Sequence, residues 1–177
     1  PTVRGMAEEG NVYTGFLYAG LMIDKAGNPK VIEFNCRFGD PETQPIMLRL
    51  QSSLVELVEA GLQGELPSHA DWDSRPSIGI VLAAEGYPAE VRSGDMISGL
   101  GDSPDGVKIF HAGTALSTDG HILTSGGRVL CVTAIGDSVL EAQTTALEAC
   151  GHVHFHGMQY RSDIGYRAIA REQNKAE

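Results

Sequence analysis

The sequence predicts an α+β fold in two parts, on three observations. Two strand-like runs flank a turn cluster near the beginning, and two helical segments follow them. Beyond Gly64 the pattern changes to short apolar strands separated by Gly-rich turns. One amphipathic helix accompanies those later strands. The expectation is therefore antiparallel strands plus helices over residues 1–63, then a small, mainly β region with one amphipathic helix over residues 64–177.

In order along the chain, Pro1 opens a short helical stretch from Thr2 to Gly10, because proline suits a first helical turn. Tyr13–Ile23 and Lys30–Arg37 read as strands joined by Asp24-Lys25-Ala26-Gly27-Asn28-Pro29, a hairpin-type cluster of turn formers. Gln44–Leu50 and Leu54–Leu62 read as helices. Ser53-x-x-Glu56 forms a capping box for the second, and Gly61 and Gly64 help end it. Glu65–Ser77 holds Pro67, Pro76 and the single Trp72, which places a domain boundary near Gly64. The later strands are Ile78–Ala84, Val107–Ala112, His121–Thr124 and Arg128–Ala134. A helix runs from Ser138 to Cys150, capped by Ser138-x-x-Glu141, with Gly151 after its end. Its buried stripe is read as Val139, Leu140, Ala146, Leu147 and Cys150. The polar tail Glu172–Glu177 is expected to be mobile.

The densest chemistry lies in Glu33-Phe34-Asn35-Cys36-Arg37-Phe38-Gly39-Asp40-Pro41-Glu42-Thr43-Gln44. Alternation along a strand sends Glu33, Asn35 and Arg37 to one side and Ile32, Phe34 and Cys36 to the other. Most strings of this kind are half-exposed strands with a polar outer face. Glu33 and Asn35, however, offer two hard oxygen donors to one ion, and Mg²⁺ is commonly held by one or two carboxylates plus substrate phosphates. Arg37, one step further, has the planar fork that binds a phosphate or carboxylate bidentately. Metal, phosphate and arginine together suit phosphoryl transfer. Gly39 permits unusual backbone angles, while Pro41 fixes its own φ and restricts Asp40.

The octapeptide Arg37 to Gln44 (R-F-G-D-P-E-T-Q), preceded by V-I-E-F-N-C, resembles the signature of the glycinamide ribonucleotide synthetase family within the ATP-grasp superfamily. Tyr13 to Met22 resembles that family's preceding strand. Ala84-Glu85-Gly86-Tyr87-Pro88, Phe110 to Thr114, Thr124 to Leu130 and Arg161 to Ala168 fall in the family's order, so the likeness covers nearly the whole chain. The resemblance implies a ligase that joins glycine to 5-phosphoribosylamine with ATP as co-substrate, through glycyl phosphate, in purine biosynthesis. It implies Glu33 and Asn35 as ligands of Mg²⁺ or Mn²⁺ and Arg37 as the cation beside the acyl phosphate. Arg37, Gly39, Asp40, Pro41 and Glu42 would form the substrate loop. Many ATP-grasp enzymes add a third acidic ligand from the preceding strand, yet Gly10 to Ile23 holds no Asp or Glu.

No Walker-type or Rossmann glycine loop is present; Gly99-x-Gly101 runs into Asp102-Ser103-Pro104, which fits a turn. Nothing else resembles a surface for adenine or a phosphate-covering element. The resemblance therefore implies the C-terminal part of an ATP-grasp domain followed by a small C-terminal domain. The expected partner is the N-terminal part of the same enzyme, and the chain by itself is expected to be inactive. An ATP-grasp carboxylase sharing the Glu-x-Asn strand, and a non-catalytic interaction module on the same fold, are the alternatives. The Asp40-Pro41-Glu42 loop speaks against the first.

Composition narrows the class. The chain has 177 residues, is 42% hydrophobic and 20% charged, and carries a net charge of −10 with only four lysines. That balance argues against nucleic-acid binding through a basic surface and leaves anionic substrates to local arginines. The cysteines Cys36, Cys131 and Cys150 are odd in number and widely spaced. Cys36 and Cys131 fall in apolar strand patterns, as small core residues of a reducing cytoplasm would. The longest apolar run, Ile80 to Ala84, is too short to cross a membrane, and no signal-peptide pattern opens the chain.

The later region carries lesser signals. His152, His154 and His156 alternate, but three such residues span too far for one ion, so an exposed edge opposite Val153 and Phe155 is the simpler reading. Ser125-Gly126-Gly127-Arg128 fits a tight hairpin turn or an anion-binding nest. His111 beside Gly113-Thr114 reads as a strand-end residue. Arg161 and Arg167 around Asp163 fit a structural ion pair or a phosphate contact.

Overall fold

The computed structural model describes residues 1–101 and 103–176. In chain order the elements are α1 (Thr2–Glu8), β1 (Tyr18–Ile23), β2 (Pro29–Asn35), α2 (Thr43–Arg49) and α3 (Leu54–Gln63). There follow β3 (Ser77–Ala83), β4 (Val107–His111), β5 (Thr114–Leu116), β6 (Ile122–Thr124), β7 (Arg128–Ile135), α4 (Val139–Cys150) and α5 (Tyr166–Ala176). The chain gathers into two compact units. One comprises Pro1–Asp40 with Leu50–Trp72; the other comprises Pro41–Arg49 with the chain from Asp73 on.

The first unit is built on the β1–β2 hairpin. Asp24 Oδ1 accepts from the N–H groups of Ala26 and Asn28, both at 2.9 Å, and Gly27 takes φ 87°. That is the Asx-type turn that the Asp24–Pro29 cluster predicts. The antiparallel register pairs Tyr18 with Asn35 and Gly20 with Glu33, then shifts so that Leu21 pairs with Val31. Ile32 is the extra residue of this bulge. Ser53 Oγ caps α3 by accepting from Glu56 N at 3.4 Å, and Gly64 ends it in the left-handed region. Two expected boundaries move inward: β1 starts at Tyr18 and not at Tyr13, and β2 ends at Asn35 and not at Arg37. The apolar face of β2 is also not buried. Val31, Ile32 and Phe34 are exposed, as is Cys36, which was expected in a core. A two-stranded ribbon has no second layer of its own to cover that face.

The second unit has a sheet of order β3-β7-β4, antiparallel throughout. Register sets Ile78, Ile80 and Leu82 of β3 beside Ala134, Val132 and Leu130 of β7, and these pack with Ala142, Ala146, Ala149 and Cys150 of α4. Small residues on α4 let the helix approach the sheet closely. Burial is nearly complete along β7 from Val129 to Ala134, as befits a central strand covered on both faces. On the opposite face, a Cβ at Gly79 would stand 3.3 Å from Pro45 Cδ and 3.1 Å from Cys131 Sγ, so α2 belongs with this sheet. For that reason Pro41–Arg49 joins the second unit, and the first unit extends past the expected Gly64 to Trp72, whose backbone bridges to Leu50.

Three details of the second unit differ from expectation. Of the expected α4 stripe, Ala146 and Cys150 are buried and Val139 and Leu147 pack against the core, joined by Ala142 and Ala149, while Leu140 remains 47% exposed. The strand β5 and the helix α5 add to the single helix expected here, and α5 extends through the tail foreseen as mobile. Of that tail, Glu177 lies outside the described residues, as does Asp102 of the Gly99–Pro104 turn. The α4 N-terminus is closed by Ser138 Oγ accepting from Glu141 N at 3.1 Å, and α5 reaches it through Glu172, whose carboxylate accepts from Val139 N at 2.9 Å.

Candidate functional site

Glu33 and Asn35 lie on β2 beyond the bulge, so strand alternation holds between them and both project from the same face. Gly20 stands opposite Glu33, and a Cβ there would come 3.0 Å from Glu33 Cγ. The missing side chain is what lets the Glu33 carboxylate lie over β1. Glu33 is exposed and Asn35 half-buried, and neither side chain makes a hydrogen bond or ion pair among the described residues. A carboxylate and an amide oxygen are hard donors, which fits a divalent cation such as Mg²⁺ or Mn²⁺ and not a soft thiophilic metal. Two donors leave most of the coordination sphere to water or substrate oxygens.

Arg37 falls after the strand, in a bend, so alternation does not place it. Its Nη1 donates to the carbonyl oxygen of the adjacent Phe38 at 2.8 Å, which leaves the other guanidinium N–H groups available for an anion. The Phe38 ring stacks on Phe16, with centroids 4.1 Å apart and planes inclined by 31°. Phe16 is itself tied down, because the Tyr13 hydroxyl donates to its carbonyl oxygen at 2.6 Å. Partial burial, with the Cys36 thiol beside it, raises the Tyr13 pKa. Gly39 is buried at the end of this loop and Asp40 is exposed; both belong to the first unit. Pro41 and Glu42 belong to the second, where the Glu42 carbonyl accepts from Ile46 N at 3.2 Å as α2 begins. Sequence reasoning missed Gly20, Phe16 and Tyr13. The motif from Tyr13 to Met22 marks the segment, but only pairing register and ring contact show what these residues do.

In the second unit, the singled-out motifs meet at one end of the sheet. Ala84 N donates to Gly127 O at 2.8 Å, and Ser125 N donates to Gly113 O at 2.7 Å. A Cβ at Gly113 would come 2.8 Å from Gly126 Cα, and one at Gly127 would come 2.5 Å from Tyr87 Cδ2. The Ser125–Arg128 segment therefore crosses between the β5–β6 ribbon and the main sheet; it is not the tight hairpin turn foreseen, because β6 and β7 are not paired. Gln159 closes the cluster, donating from Nε2 to Ala84 O at 3.0 Å and to Tyr87 O at 3.2 Å. A cavity of about 310 Å³ lies beside it, lined by Val81, Ala83, Tyr87, Tyr160, Arg161 and Ile164. Arg161 forms the structural ion pair with Asp163, at 2.8 and 2.7 Å, and Arg167 turns to the Tyr166 hydroxyl at 2.9 Å. His111 Nδ1 lies 3.1 Å from Thr114 Oγ1. His152, His154 and His156 are exposed between the buried Val153 and Phe155, and no group of three metal-binding side chains occurs among the described residues. No helix among those residues is long and apolar enough to cross a membrane.

Comparison with known proteins gives a consistent set of relatives. Residues 77–167 match the family model described as phosphoribosylglycinamide synthetase, C domain, and residues 1–43 match that family's ATP-grasp (A) domain. A phosphoribosylamine–glycine ligase of Pseudomonas aeruginosa is 65% identical over 179 residues, covering 99% of this chain and 41% of the relative. One from Escherichia coli O157:H7 is 62% identical over 177 residues, covering 98% of this chain and 41% of its own. The chain thus spans about two fifths of the length of these relatives. Among solved structures, phosphoribosylamine–glycine ligase of Thermotoga maritima superposes with a TM-score of 0.76 at 38% identity, over 90% of this chain and 39% of that one. An N5-carboxyaminoimidazole ribonucleotide synthetase from the same organism, at 18% identity and a TM-score of 0.57 over 85% of this chain and 39% of that one, shares the fold alone.

Proposed function

The chain belongs to the phosphoribosylglycinamide synthetase family, and from that membership we propose that its parent protein joins glycine to 5-phosphoribosylamine. ATP would be cleaved to ADP and phosphate, in purine biosynthesis in the cytoplasm. The observation that carries this reading is the Glu33–Asn35 pair: two hard oxygen donors on one strand face, without side-chain partners among the described residues, beside an arginine that spends one N–H on the Phe38 carbonyl. These two residues would hold Mg²⁺ or Mn²⁺, which supplies charge neutralisation for the transferring phosphoryl group.

Around that group the chain's own residues orient and stabilise. A glycine carboxylate oxygen bonds to the γ-phosphorus of ATP as ADP leaves, giving glycyl phosphate. The ribosylamine nitrogen then bonds to the acyl carbon as inorganic phosphate leaves, and the nitrogen releases one proton. Arg37 presents its unused N–H groups to the anionic acyl phosphate. Gly39, Asp40, Pro41 and Glu42 form the loop beside the substrate. Residues 1–63 act as the C-terminal part of the ATP-grasp domain and 64–177 as the C-terminal domain. The remaining part of the enzyme supplies the nucleotide-covering surface, and the 177-residue chain alone forms no ADP.

The test uses the full-length parent. ADP formation that requires both glycine and phosphoribosylamine supports the reading; bicarbonate-dependent turnover instead of glycine dependence rejects it in favour of a carboxylase, and no turnover at all in favour of an interaction module. Glu33→Ala should lower turnover about 100-fold or more with an unchanged unfolding midpoint. Near-normal activity of that variant at limiting Mg²⁺ removes the ligand assignment.

A further inference from the structure

We propose that Phe16 is a positioning residue for the Arg37–Asp40 loop, acting through its ring contact with Phe38; the inference rests on the function proposed above for Arg37. The loop from Cys36 to Asp40 lies outside the strands and helices. A short relay within the first unit reaches it. The Tyr13 hydroxyl holds the Phe16 carbonyl at 2.6 Å, the Phe16 ring holds the Phe38 ring at 4.1 Å, and the Phe38 carbonyl holds Arg37 Nη1 at 2.8 Å. Gly15 makes the first link possible. Its φ of +148° admits few other residues, and a Cβ there would stand 3.0 Å from the Tyr13 hydroxyl.

Phe38 therefore has two roles in one residue. Its side chain docks on β1's leading segment while its carbonyl seats the guanidinium that faces the substrate. Movement of the ring carries the peptide with it, and so the arginine. Phe16 stays 41% exposed, so its contact with Phe38 is not explained as burial in a core. Positional errors of an ångström in a catalytic group cost rate more than ground-state binding.

The experiment measures full-length enzyme with Phe16→Leu, Phe16→Tyr, Phe38→Leu and the Phe16→Leu/Phe38→Leu double variant. Leucine keeps an apolar group and removes the ring; tyrosine keeps the ring. Phe16→Leu is expected to lower kcat about threefold to tenfold, the range of one aromatic pair, with the KM for ATP unchanged. Phe16→Tyr should restore kcat, and the double variant should be no slower than Phe38→Leu, because both changes break one contact. The proposal is overturned by a wild-type kcat for Phe16→Leu, by multiplying losses in the double variant, or by a Phe16→Tyr variant as slow as Phe16→Leu. An inactive wild-type enzyme would instead strike at the proposed function, so the two failures are distinguishable.

Discussion

Gly20 and Glu33 are partners across the β1–β2 ladder, and the space where Gly20 lacks a Cβ is filled by the Glu33 side chain, whose Cγ would lie 3.0 Å from such an atom. A 3.0 Å contact is tighter than a relaxed carbon pair allows, so the flexible glutamate must give way. Gly20→Ala in the full-length enzyme should displace the Glu33 carboxylate and raise the Mg²⁺ concentration for half-maximal activity about tenfold. A Mg²⁺ titration of initial rates checks this, and an unchanged midpoint counts against Glu33 as a ligand placed by Gly20.

Tyr87 packs on Gly127 so closely that a Cβ at 127 would come 2.5 Å from its ring. Gly127→Ala should therefore destabilise the second unit by about 1–3 kcal/mol through overpacking. Tyr87→Ala in the same chain should recover part of that loss by opening the space. Urea unfolding of the two single variants and the double variant reads the coupling directly.

The three thiols should react in an order set by burial. Cys36 is exposed, while Cys131 is 2% and Cys150 0% exposed. Burial, with Cys131 adding to it, pushes the Cys150 thiol up to about 12, so almost no thiolate exists there near neutrality. A colourimetric thiol reagent at pH 8 should label one cysteine of the native chain quickly and all three after denaturation. Cys36→Ser should remove the fast phase.

Asp73 gives a pH dependence with a definite sign. The Arg75 side chain and backbone hydrogen-bond its carboxylate, with Arg75 Nη2 at 2.7 Å, and hold its pKa at about 2 against an ordinary 3.8. A lowered folded pKa means the unfolded chain binds the proton first as pH falls. The stabilisation is therefore fully present above about pH 4 and lost between there and pH 2. Because the Arg75 side chain is about half exposed, solvent screening keeps the effect small. Acid titration of unfolding should show a steeper loss in the wild-type chain than in Asp73→Asn over that interval, and parallel curves would remove the assignment.

The residue chemistry and most of the local structure are legible in the order of the amino acids. The Asp24–Pro29 turn, the Ser53 and Ser138 caps and the Gly64 end all form where they were read, because each depends on groups within a few residues of one another. The same holds for Glu33 and Asn35 on one strand face and for the motifs that mark the family. What those residues meet follows from the folded chain. Gly20 opposite Glu33 required the bulge at Ile32; Phe16 against Phe38 required the path of the chain before β1; and α2 joined the later sheet through Gly79 and Pro45. Register, ring contacts and the covering of a face depend on residues far apart in the chain, and no periodicity within one segment encodes which distant segment will lie upon it.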